Sequence, residues 1–102
     1  MLEHQITAVD DRVTVSLVGD IYVEDASVLR EELLEKIQSG AKYFEFDMTK
    51  VGYIDSSGLG VLVAVQKQTV KMGGRVTLRG LNGLVSELFQ LTRLNKVFEI
   101  VP

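Results

Sequence analysis

Two hydrophobic periods take turns along this chain. Between Arg12 and Gly19, Val13, Val15 and Leu17 alternate with Thr14 and Ser16, the period of a strand with one wet face. Gln5 to Val9, ahead of the turn signal Asp10-Asp11, is its expected hairpin partner. From Glu24 to Gln38 the spacing changes to that of a helix. Ala26, Leu29, Leu33 and Ile37 fall on one stripe, which Leu34 widens. Glu24 and Asp25 suit the first turn of this helix, Lys36 suits the last, and Gly40 reads as its stop. Tyr43 to Met48 alternates again, with Phe44, Phe46 and Met48 on one face. A second helix is expected from roughly Gly58 to Met72. Leu59 and Val61 to Val65 make its first half apolar on nearly all sides, as for a segment buried between a sheet and a neighbouring helix. The polar run Gln66 to Lys71 is expected to be wet. Gly73-Gly74 ends this helix, and Arg75 to Gly80 is a strand with Val76 and Leu78 inward. Asn82 is placed to cap a last helix carrying Leu84, Val85, Leu88 and Leu91, and Val97 to Val101 reads as a final strand.

Strands alternating with helices imply crossover connections. The expected architecture is one α/β domain over residues 1–102. Its mixed, mostly parallel sheet has about four to five strands, largely covered by helices. A chain of 102 residues is long enough for one independent core and too short for two. Its net charge of −3 opposes nucleic-acid binding and charge-driven attachment to anionic membranes, both of which need a concentrated basic face. No cysteine is present, which excludes disulfides and thiolate metal sites. The first residues lack the basic-then-apolar pattern of a signal peptide, and no apolar run is long enough to span a bilayer. A cytoplasmic protein is the expectation.

The residues with chemistry cluster at Asp55-Ser56-Ser57-Gly58-Leu59-Gly60, between the third strand and the second helix. A hydroxyl-rich turn opening a helix exposes backbone N–H groups and the positive end of the helix dipole. Such a place tolerates an added phosphate. On spacing alone a helix cap is the commoner explanation, and the two are compatible, since one side chain can cap while another faces out. Asp47 and Asp55 are expected to bind loop N–H groups rather than a metal, because no third ligand is in view. His4 is the only histidine, so a serine nucleophile would lack a neighbouring base. The turn is not Gly-x-Ser-x-Gly, and Gly73-Gly74-Arg75 is not a P-loop. No enzyme activity, cofactor or metal is expected.

These six residues resemble the signature of the STAS domain family, in particular the bacterial anti-sigma factor antagonists. The resemblance extends over nearly the whole chain. Val13 to Ile21 is similar to the family's second strand and the Gly-acidic-aliphatic step after it. Phe46 to Ile54 is similar to the strand and turn before the phosphorylation loop, and Gly73-Gly74 and Leu91 to Phe98 match later landmarks. Members of this kind bind an anti-sigma factor that is also a serine kinase. That kinase phosphorylates the serine after the motif's aspartate, which releases the antagonist, and a metal-dependent serine phosphatase restores it. The resemblance therefore implies phosphorylation at Ser56, with Ser57 as second choice. It implies a partner surface of Asp20, Tyr22, Asp55, Ser56, Ser57, Gly58, Leu59 and Gly60, on a protein that is a monomer or weak dimer when free. Tyr22 stands where many relatives carry an aspartate. It is either an aromatic anchor at an altered interface or a residue packed at the head of its helix. A second role within the same family is that of an accessory subunit of a transporter or of a stress-signalling scaffold.

Overall fold

The computed structural model describes residues 2–102. Strands β1 (Glu3–Val9) and β2 (Arg12–Val18) form the opening hairpin. Asp10 makes its turn possible by taking a left-handed conformation, φ 55°. There follow α1 (Val23–Gln38), β3 (Tyr43–Lys50), α2 (Ser56–Lys71), β4 (Arg75–Arg79), α3 (Gly83–Leu91), a short 3-10 turn (Leu94–Lys96) and β5 (Glu99–Val101). Both long helices stop where glycine permits a positive φ. Gly40 has φ 103° and Gly73 has φ 80°. Beyond each, paired bonds close the helix end: Gly40 and Ala41 donate to Ile37 and Lys36, and Gly73 and Gly74 donate to Val70 and Thr69.

The five strands lie side by side in chain order, β1 antiparallel to β2 and the others parallel. Every crossover steps in the same direction, so the right-handed rule puts all three helices on one face. Val13, Phe44 and Val76 are in register across that face, as are Val15, Phe46 and Leu78, and all are buried. The opposite face carries Arg12, Tyr43 and Arg75 in one row and Thr14, Glu45 and Thr77 in the next. The sheet is therefore covered on one side only, less than the crossover pattern suggested. Its strands alternate because their second face meets water, and burying Glu45 or Arg79 there would cost more than it returned.

Five local expectations change. α2 begins at Ser56, earlier than Gly58, because Asp55 already supplies the cap. Gln66 is not part of a wet face: its Nε2 donates to the Val97 carbonyl at 2.7 Å and its Oε1 accepts from the Val76 N–H at 3.2 Å. Asn82 precedes α3 but does not cap it through its side chain. Instead its Nδ2 donates to the carbonyls of Gly80 (2.9 Å) and Thr49 (3.1 Å), tying two loops together. α3 buries Val85 and Phe89, the latter packed on Phe98 at 5.9 Å between ring centroids, while Leu84 and Leu91 are 65% and 83% exposed. A helix of nine residues lying against a sheet has one inward stripe, filled by Val85 and Phe89 with the half-buried Leu88 beside them. β5 is also shorter than expected, because the 3-10 turn carries the chain as far as Val97.

Stability rests on the core. The ion pairs His4–Glu32, Arg79–Glu45 and Arg75–Glu99 are partly exposed, and such pairs are worth about 0–1 kcal/mol each. Truncating one buried leucine such as Leu33 costs about 2–5 kcal/mol. Two glycines let elements approach more closely than any side chain would. A Cβ on Gly74 would lie 1.7 Å from the Lys42 carbonyl oxygen, which accepts from the Arg75 N–H. A Cβ on Gly58 would lie 2.6 Å from Ile54 Cγ1 and 2.8 Å from Ile21 Cγ2. Gly74→Ala is expected to cost about 3 kcal/mol or more, since a backbone oxygen cannot swing aside. Gly58→Ala is expected to cost about 1–2 kcal/mol, since overpacking two isoleucines outweighs the gain in helix propensity. Urea unfolding monitored by circular dichroism would check both, with the larger drop in midpoint for Gly74→Ala.

Candidate functional site

The chain segments leaving β2 and β3 are held to one another beyond the ends of both strands. Gly19 donates to the Lys50 carbonyl at 3.0 Å, Ile21 to Tyr53 at 2.9 Å, and Asp55 to Ile21 at 3.1 Å. Ile21 and Ile54 thereby form an isolated parallel bridge, both side chains pointing into the core. Their neighbours alternate outward, as in any extended segment. Asp20 and Tyr22 thus come beside Tyr53 and Asp55 at the edge of the sheet where the parallel strands end, the usual place for sites in parallel sheets. α2 starts from this bridge, with Gly58 seated against Ile21 and Ile54.

Asp55 caps α2. Its backbone is extended and its Oδ1 accepts from the Gly58 N–H at 3.0 Å, a contact worth about 0.5–2 kcal/mol. The capping role is thus filled by the aspartate, and neither serine is needed for it. Ser56 occupies the first helical position and is exposed, while Ser57 is half-buried. Ser57 lines a groove between α1 and α2 together with Ala26, Arg30 and Gly60. Among the described residues neither hydroxyl has a hydrogen-bond partner within the protein.

Tyr22 heads α1. Its backbone N–H donates to Asp25 Oδ2 at 3.2 Å, and its hydroxyl donates to Asp20 Oδ2 at 3.2 Å. The negative charge of Asp20, and then the bond to it, push the Tyr22 phenol above its ordinary value. The ring lies 5.7 Å from that of Tyr53 and is 44% exposed, so it is an outward-facing aromatic rather than core filling. Asp47 accepts from the Thr49 N–H at 3.0 Å, and hydrogen bonds from Thr49 hold its carboxyl below the usual range. Asp47 and Asp55 each bind a nearby N–H, and among the described residues no His, Cys, Asp or Glu group is arranged to hold a metal. His4 Nε2 lies 2.7 Å from Glu32 Oε2 of α1, so its partner is that carboxylate.

The structure thus brings Asp20, Tyr22, Asp55, Ser56, Ser57 and Gly60 to one surface. Gly58 is buried beneath it and Leu59 is half-buried. Sequence reasoning missed Tyr53, exposed at 42%, and the outer leucines of α3, which line a shallow apolar groove with it. The available signal was that Leu84, Leu88 and Leu91 form a stripe at helical spacing separate from the Val85–Phe89 stripe. This surface presents an exposed aromatic pair and, beside the Asp55 cap, an accessible primary hydroxyl on Ser56.

Among the described residues no helix is long and apolar enough to cross a membrane. The chain is 35% identical over 91 residues to the anti-sigma-B factor antagonist of Bacillus subtilis, covering 89% of this chain and 83% of that protein. Its counterpart of the same name in Listeria monocytogenes is 31% identical, over 88% of this chain and 79% of that one. The fold matches unphosphorylated SpoIIAA, an anti-sigma factor antagonist, with a TM-score of 0.82 at 17% identity, over 98% of this chain and 88% of that one. The phosphorylated form, described as a Bacillus cell fate determinant, matches with a TM-score of 0.80 at 17% identity, over 98% and 92%. Residues 4–102 match the STAS domain, and the chain belongs to that family.

Proposed function

We propose that this protein is an anti-sigma factor antagonist. It binds a serine-kinase anti-sigma factor through the surface around the start of α2, and phosphorylation of Ser56 releases it. The observation that carries this reading is the division of labour at the helix start. Asp55 caps the helix, which leaves the exposed Ser56 hydroxyl with no structural task. The relatives named as anti-sigma-B factor antagonists support the same role. A metal-dependent serine phosphatase would return the protein to its binding form, and the cycle would run in the cytoplasm.

Phosphate adds about 1.5 to 2 negative charges and three acceptor oxygens. The helix N-terminus offsets part of that charge inside the domain, and the cap stays in place, so the fold should survive. The interface should not. A dianion set against closely packed partner atoms, with Asp55 adjacent, costs several kcal/mol, and each 1.4 kcal/mol is tenfold in affinity.

Titration calorimetry with the serine-kinase anti-sigma factor of the same genome should show Ser56→Asp binding about a hundredfold or more weaker than the unmodified protein. Ser56→Ala should bind like the unmodified protein and accept no phosphate. Equal affinities for the two variants would overturn the charge mechanism. Incubation of Ser57→Ala with the kinase and ATP should still yield one phosphate, mapped to Ser56 by mass spectrometry.

A further inference from the structure

Leu84 and Leu91 at the outside of α3 have no task in the core. Leu84 and Leu91 are the most exposed of the chain's leucines and isoleucines, at 65% and 83%. Together with Leu88 and Tyr53 they line a groove of about 230 Å³ that is largely apolar. Large exposed apolar side chains gathered in one place mark contact surfaces more often than chance exposure does. Two further observations say what covers them. First, the groove adjoins the surface around Ser56: Tyr53 forms its wall, and the Tyr53 ring lies 5.7 Å from that of Tyr22. Second, its charge has one sign. Glu87 is the only charged residue lining it, and Asp20 and Asp55 flank the Tyr22–Tyr53 end.

We propose that this groove is a second contact for the partner that docks at Ser56, and that its occupant is a basic amphipathic helix of that partner. Apolar side chains of that helix enter between Tyr53, Leu84, Leu88 and Leu91, while lysines or arginines meet Glu87, Asp55 and Asp20. This deepens the antagonist reading and rests on it for the identity of the partner. Spacing supports a helical occupant, because Leu84, Leu88 and Leu91 form one row along α3, and two such rows pack side by side. The row lies on a different element from Ser56. Phosphorylation therefore breaks the first contact and leaves the second in place, so the modified protein retains weak, groove-only binding.

The test uses the whole chain and two probes. One is a synthetic amphipathic peptide of leucine and lysine; its control has glutamate in place of lysine. Amide shifts of nitrogen-labelled protein should move at Tyr53, Leu84, Leu88 and Leu91 with the lysine peptide. Leu84→Ser/Leu91→Ser should bind it about tenfold or more weakly with an unchanged circular dichroism spectrum. Leu91→Lys serves as a second variant should the double change disturb the fold. Shifts confined to other surfaces, equal binding of the glutamate peptide, or undiminished binding by the leucine variants would overturn the proposal. So would a concentration-dependent dimer abolished by the same variants, since a second copy would then be the occupant. The other probe is the kinase itself. Weakened binding by the leucine variants supports the groove whatever Ser56→Asp does. Loss with Ser56→Asp alone sinks the groove and leaves the antagonist reading standing. Loss with the leucine variants alone keeps the groove and sinks the phosphorylation switch.

Discussion

The contact on which the rest depends is the seating of α2 against Ile21 and Ile54, possible only because Gly58 has no side chain. A Cβ there would meet both isoleucines inside 3 Å. The same two residues form the bridge that holds the segments after β2 and β3 together. One small contact thus fixes three things at once: the start of α2, the position of Asp55 as its cap, and the approach of Tyr22 to Tyr53. Packed interiors transmit such constraints because they have little free volume. The outward face of the site is set by what lies directly beneath it.

The two ends of the sheet differ in charge. Where the parallel strands begin, Arg12, Tyr43 and Arg75 are in-register neighbours on the open face. The Arg12 guanidinium carbon lies 4.6 Å from the centre of the Tyr43 ring, with Lys42 Nζ and the Arg75 guanidinium carbon at 5.7 and 5.8 Å. The ring's negative face offsets the crowding of these cations. Where the strands end, Asp20 and Asp55 stand beside the Tyr22–Tyr53 pair at the start of α2. On the function proposed above, a partner approaching the Ser56 surface would meet Asp20 and Asp55, which favours a basic contact face.

Much of this was legible in the order of residues. The one-faced alternation of Val13, Val15 and Leu17 and of Phe44, Phe46 and Met48 correctly placed two strands and their inward sides. The stops at Gly40 and Gly73 were legible because a left-handed residue is a local requirement. The hydroxyl turn at Asp55 to Gly60 was legible because a helix cap is set by residues three apart along the chain. Gln66 and Asn82 were not, because what they bind, Val97 and Thr49, lies more than 30 residues away along the chain. Which apolar residues of α3 meet the core was not legible, because periodicity marks apolar stripes without saying which one faces inward.

The sequence by itself determined the elements, their order, the mixed sheet and the chemistry available at Ser56, since each follows from neighbours within a few positions. Tertiary structure alone decided that the helices share one face and that Tyr53 joins the outer leucines of α3. These outcomes depend on which surfaces meet once crossover handedness and the close approach at Gly58 are in force. That is a question of distance in space, which spacing along the chain does not encode.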